Sequence, residues 1–188
     1  MCSKSHLHLG KYLAEHYMEH VSKRYIQAFL IGCVQPDKNP VTYLKGSVQH
    51  QWLRGHNYLN AAGFMQRICQ RLEHKKLLTI FDYYTLGKLI HYIADAFTRA
   101  HNSDFSQNLL EHRQYEYILQ IHFLKYLSSN PQPVIRSLSS MMDTIIYSHQ
   151  EYSRLDPHIN NDAAYTLMVS CSVLSIILVK QPQKAMEC

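Results

Sequence analysis

Apolar positions recur along this chain mostly at three- and four-residue spacing, and clusters of Pro and Gly interrupt them. The pattern predicts a first helix from Ser5, as N-cap, to about His20. A second runs from Ser22 to about Val34 and stops at Gln35-Pro36, because the residue before proline is pushed out of helical geometry. Residues 36–55, with two Pro and two Gly, read as an ordered loop. Helices then follow from about His56 to Glu73, Leu77 to Ala100, Ser106 to Leu127 and Val134 to Arg154. A last helix is capped by Asp162. No repeat or linker divides the sequence, so one domain over 1–188 is expected. The fold class is all-α, a bundle of about seven helices.

The helix from Leu77 to Ala100 differs from the others. Leu77, Leu78, Ile80, Phe81, Leu86, Leu89, Ile90, Ile93, Ala94, Ala96 and Phe97 surround its axis, which suits the middle of a bundle. The run Ala163 to Val179 is also apolar but carries four hydroxyl residues besides Tyr165. It is read as a buried core helix, and no transmembrane segment is expected.

Composition narrows the class. Hydrophobic residues at 46% and charged residues at 18% exclude a disordered chain. A net charge of +5 is compatible with an anionic substrate without requiring one. Five widely spaced Cys without a CxxC pair argue against a disulfide framework and for a reducing compartment. The start, MCSKSHLHLGKY, lacks the apolar run of an export signal, so a cytoplasmic location is expected. The unusual number is 13 His, which invites a search for metal ligands.

His91 and Asp95 stand four residues apart on the apolar helix, hence on one face. An isolated carboxylate there costs several kcal/mol, so the pair needs either a mutual hydrogen bond or a shared cation. His112 and Glu116 repeat the spacing on the next helix, and His101 lies in the connection between them. Helices joined by a short loop pack side by side, which brings His101 towards His112 and Glu116. Two imidazoles, one carboxylate and an open position make a catalytic zinc site. His6 at the first helix, Asp37 after Pro36 and His56 before the third helix supply further donors, although each alone reads more readily as a cap or a solvated group.

The ordered set resembles the zinc-dependent phospholipase C family, which is related in fold to the fungal single-strand nucleases. LGKLIHYIADAFTRAH resembles the family's His-x3-Asp-x5-His segment at His91, Asp95 and His101, and HRQYE its His-x3-Glu at His112 and Glu116. SHLHLGKYLA is similar to its first helix at His6, Asp37 to the loop carboxylate, and His56 to a later ligand, with His50 as competitor. The resemblance implies two or three zinc ions. Asp95 would bridge two of them, with His91, His56 and Asp37 about one and His6 on the other. His101, His112 and Glu116 would hold a third, and Asp37 would act as general base. It also implies an N-terminal residue binding through its amine and carbonyl. Members carry Trp there; in this chain Cys2, four residues before His6, would take the place through amine and thiolate once Met1 is trimmed. Members are usually secreted.

The expected activity is hydrolysis of a phospholipid or other phosphodiester by metal-activated water. Nucleic acid is not the first choice of substrate. A nuclease or nucleotidase of the same fold remains an alternative and would draw on Tyr43, Trp52 or Tyr58 to stack bases. So does a degenerate scaffold that binds metal without catalysis. The sequence sets no oligomeric state.

Overall fold

The computed structural model describes residues 1–38, 58–102, 108–179 and 181. Among these, the chain forms seven α-helices and no strand. They are α1 (Ser3–Tyr17), α2 (Lys23–Lys38), α3 (Tyr58–Glu73), α4 (Ile80–Ala96), α5 (Leu109–Ser128), α6 (Met141–Tyr152) and α7 (Ile159–Leu178), with a 3-10 turn at Arg99–His101. The all-α reading holds.

Helix α4 sits inside the bundle, touching α1, α2, α3 and α7. Every residue from Leu89 to Ala96 is buried, the two ionisable ones included. Its start is fixed by a capping box: Thr79 accepts from the Asp82 amide, and Asp82 returns a bond to the Thr79 amide. The sequence placed this start too early. Leu77, Ile80 and Phe81 remain exposed, so the apolar girdle closes only further along.

The most extensive packing is between α2 and α4. It is set by two glycines facing each other. A Cβ at Gly32 would lie 2.1 Å from the Tyr84 carbonyl oxygen, and one at Gly87 would lie 2.1 Å from that of Phe29. Side chains at both positions would hold the axes apart; hydrogen atoms let the backbones touch.

Helix α2 continues through Pro36 to Lys38, past its expected end. Pro36 is buried, and packing against α4 outweighs the one lost amide. Asp37 therefore stands on the last turn of a helix and not in a loop. Helix α7 begins at Ile159, capped by His158, whose Nδ1 accepts from the Asn160 amide. Asp162 is thus not a cap and sits within the first turn. Residues 134–138, expected as helix, run without regular structure to the N-cap Ser140. Helix α7 is long and apolar enough to cross a membrane by length and composition. In this fold Leu167, Val169, Val173, Leu174 and Ile177 of that helix are buried in the bundle core.

Candidate metal centre

Helix α4 brings His91 and Asp95 to the centre by its four-residue spacing, with His91 Nε2 3.2 Å from Asp95 Oδ2. The close approach of α2 then places the Cys33 carbonyl oxygen 2.9 Å from His91 Nδ1. A neutral imidazole donates its Nδ1–H there and keeps the Nε2 lone pair for the centre. One turn further along α2, Asp37 Oδ1 lies 3.6 Å from His91 Nε2, and its Oδ2 accepts from the Ser3 hydroxyl at 2.6 Å. His6, 1% exposed on α1, stacks on His91 with ring centroids 3.8 Å apart. Its Nε2 lies 3.2 Å from Asp95 Oδ1. Asp95 therefore offers one oxygen to His91 and the other to His6.

A second group adjoins the first. His101 Nε2, at the end of the 3-10 turn, is 3.1 Å from Glu116 Oε1 and 3.6 Å from Asp95 Oδ1. His112, one turn before Glu116 on α5, approaches the same Oε1 at 3.6 Å. Two sets of donors, His6–His91–Asp95 and His101–His112–Glu116, each gather within 4.8 Å. Of the residues singled out in the sequence, these six and Asp37 come together. His56 and its competitor His50 lie outside the described residues, as do Tyr43 and Trp52.

The α-amino group of Met1 lies where the two sets meet, 2.8 Å from Asp95 Oδ1 and 2.9 Å from Glu116 Oε1, and it also contacts His101. The Met1 carbonyl oxygen faces His6 Nε2 at 3.0 Å. With Met1 in place, its amine and carbonyl oxygen stand at the position expected for Cys2 in a chain trimmed of Met1. The Cys2 thiol points elsewhere and donates to Gln120 at 3.0 Å.

Electrostatics favour donors over protons. Burial would raise Asp95, but the α-ammonium and the imidazoles of His101, His91 and His6 hold it well below the usual carboxylate range. Burial opposes ionisation of Glu116 too, yet the α-ammonium and the hydrogen bond from His101, with His112 nearby, lower it. Burial, with His91 alongside, pushes His6 down to about 4. His101 is lowered by burial and then by the α-ammonium. Asp95 and Glu116 are thus held towards the ionised form, and His6 and His101 towards the neutral one.

The spacings allow a test for zinc. Tetrahedral bonds of 2.0–2.1 Å put neighbouring donor atoms about 3.3 Å apart. The separations of 3.1 to 3.6 Å bracket that value. At 3.6 Å a nitrogen and an oxygen are too far apart to share a hydrogen bond. The donor set fits the ion.

Beside His101 opens a cavity of about 390 Å³, lined by Tyr58, Arg99, His149, Tyr152, Asn161 and Asp162 among others. His149 and Asp162 were missed in the sequence: one has no spaced partner, and the other reads as a cap. His149 stacks on Tyr58 with centroids 3.5 Å apart and bonds Asn102 Oδ1 at 3.2 Å. Of the aromatic residues expected to stack bases, Tyr58 thus has one ring face already covered. Burial pushes His149 from 6.5 down to about 4, against a smaller opposing backbone contact. The folded protein keeps it neutral while the unfolded chain takes a proton. Its contribution to stability is complete above pH 6.5 and is lost as pH falls towards about 4. Thermal unfolding of metal-free protein from pH 7 to 4 should show this loss, and His149→Gln should flatten it. An identical acid limb in the variant contradicts the assignment.

The family model for zinc dependent phospholipase C matches residues 5–171. No curated protein and no solved structure gives a match.

Proposed function

Because the chain belongs to the zinc-dependent phospholipase C family, we propose that it hydrolyses a phosphodiester, with a phospholipid as the best single substrate class. The observation that carries this reading is the pair of adjoining donor sets around Asp95 and Glu116. His6, His91, Asp95 and Asp37 would hold zinc on one side, and His101, His112 and Glu116 on the other, two or three ions in all. Bound zinc supplies a water acidified towards pKa ~7 and offsets the charge of the diester.

The protein's own groups do the rest. The Cys33 carbonyl fixes the His91 tautomer, so that its Nε2 stays a donor to the centre. Asp37 has one oxygen anchored by Ser3 and the other facing the centre, at the partly open edge. Oδ1, on the side of Asp37 that faces His91, would take the proton from the attacking water. Arg99 lines the cavity next to His101, where its guanidinium would meet a phosphate oxygen. The cavity would receive part of the substrate beside the donors.

Zinc analysis and hydrolysis assays on phospholipid, nucleotide and synthetic diester substrates test the proposal together. Two or three zinc per chain and zinc-dependent hydrolysis of phospholipid are expected. Cleavage of nucleotides alone would favour the nuclease reading, and protein that binds no metal would end both. Asp37→Asn should retain its zinc and lose hydrolysis by about 10²–10⁴, as removal of a general base does. Full activity in that variant would move the proton acceptor elsewhere.

A further inference from the structure

Asp162 is 1% exposed on the first turn of α7, and three other elements donate to it. The Arg99 amide reaches Oδ2 at 2.9 Å, the Tyr115 hydroxyl reaches the same oxygen at 2.9 Å, and the Tyr152 hydroxyl reaches Oδ1 at 2.7 Å. Helix capping does not require this carboxylate, because His158 serves that end. Nor does burial favour it: desolvation raises its carboxyl despite the donors around it. The carboxylate answers three donors at once: an amide would turn an N–H towards one of them, and an apolar side chain would leave all three without an acceptor.

Two of its donors belong to the segments that carry the second donor set. Arg99 opens the 3-10 turn that ends in His101. Tyr115 immediately precedes Glu116 on α5, one turn beyond His112. One carboxylate oxygen therefore ties together the two segments that supply the whole second donor set. The donors to Asp162 come from neither α1 nor α4, the helices that carry His6, His91 and Asp95.

We propose that Asp162 is a positioning residue for the His101–His112–Glu116 group, fixing the distance between the 3-10 turn and α5 and thereby the zinc affinity of that group in particular. The inference rests on the zinc reading above. Because bound zinc needs its donors held to within a few tenths of an ångström, loosening one tie should lower affinity at this group and leave the other alone.

The test is zinc titration of metal-free wild type and Asp162→Asn against a competing chelator, with histidine imidazole resonances reporting which group fills. Binding that shifts His101 and His112 should weaken about 10–100-fold, the usual range for outer-shell partners. Binding that shifts His6 and His91 should stay within about twofold of wild type, well below that range. Equal weakening of both groups would show a general structural role and overturn the proposal, as would no weakening. Should Asp162→Asn fail to fold, Tyr115→Phe removes a single hydroxyl and carries the same test. It should weaken zinc several-fold at the second group only, and unchanged binding there overturns the proposal. Wild-type protein that takes up no zinc removes the reading beneath; zinc uptake that ignores Asp162 removes this inference alone.

Discussion

Gly87→Ala is expected to destabilise the protein by about 3 kcal/mol or more, at the upper end of overpacking costs. Its added methyl would meet the Phe29 carbonyl oxygen at 2.1 Å, with the Cys33 amide at 2.9 Å and the Gly32 carbonyl carbon at 3.0 Å. All three are backbone atoms, so no side chain can turn aside. The helices must separate. The same separation withdraws the Cys33 carbonyl from His91 and Asp37 from the centre, so zinc binding should fall with stability. Gly32→Ala, whose methyl would strike the Tyr84 carbonyl oxygen, should behave alike. Gly63 supplies the control. It lies on α3 with only the Arg67 guanidinium within reach, at 3.9 Å. Gly63→Ala should stabilise by roughly 0.5–1 kcal/mol through helix propensity alone. Urea unfolding of the three variants decides the matter. A Gly87→Ala protein within about 0.5 kcal/mol of wild type, the range of ordinary surface changes, would refute the contact.

Asp95→Asn should have the largest effect on activity. The carboxylate is fully buried and faces His6, His91, His101 and the α-ammonium of Met1. An amide of the same shape removes the negative charge and puts an N–H where one oxygen had accepted. In metal-free protein the α-ammonium loses its partner at 2.8 Å and keeps Glu116 at 2.9 Å, so the cost stays below the about 3–5 kcal/mol of a buried charge left wholly unpaired. In the zinc-loaded protein the His6–His91–Asp95 set would lose its one carboxylate, and His101 its neighbour at 3.6 Å. A loss of about 4 kcal/mol of transition-state stabilisation corresponds to roughly 10³ in rate. Zinc content and kcat/KM are the measurements. Wild-type values for both would place the chemistry away from this carboxylate.

Much of this was legible from spacing. The i,i+4 pairs His91/Asp95 and His112/Glu116 need only helical geometry to project together, and an apolar helix around the first pair pointed inwards. What spacing cannot carry is contact between elements. Asp37 was read as a loop residue because Pro36 looked like a stop, whereas tertiary packing carries α2 two residues beyond it. The Met1 amine is a terminal group without a side-chain signature, and no periodicity marks it. Asp162 was assigned to the nearest helix start, as local rules favour; its real partners are separated from it by 63, 47 and 10 residues. Gly32 and Gly87 gave no signal in isolation, because each matters only opposite the other helix.

The Nδ1 edge of His91 is held by a main-chain oxygen, that of Cys33. Replacing the Cys33 thiol would leave that acceptor in place, since every residue type offers the same carbonyl. The imidazole's alignment is thus inherited from how two rods lie against each other. It is tolerant of chemistry at position 33 and intolerant of bulk at 32 or 87.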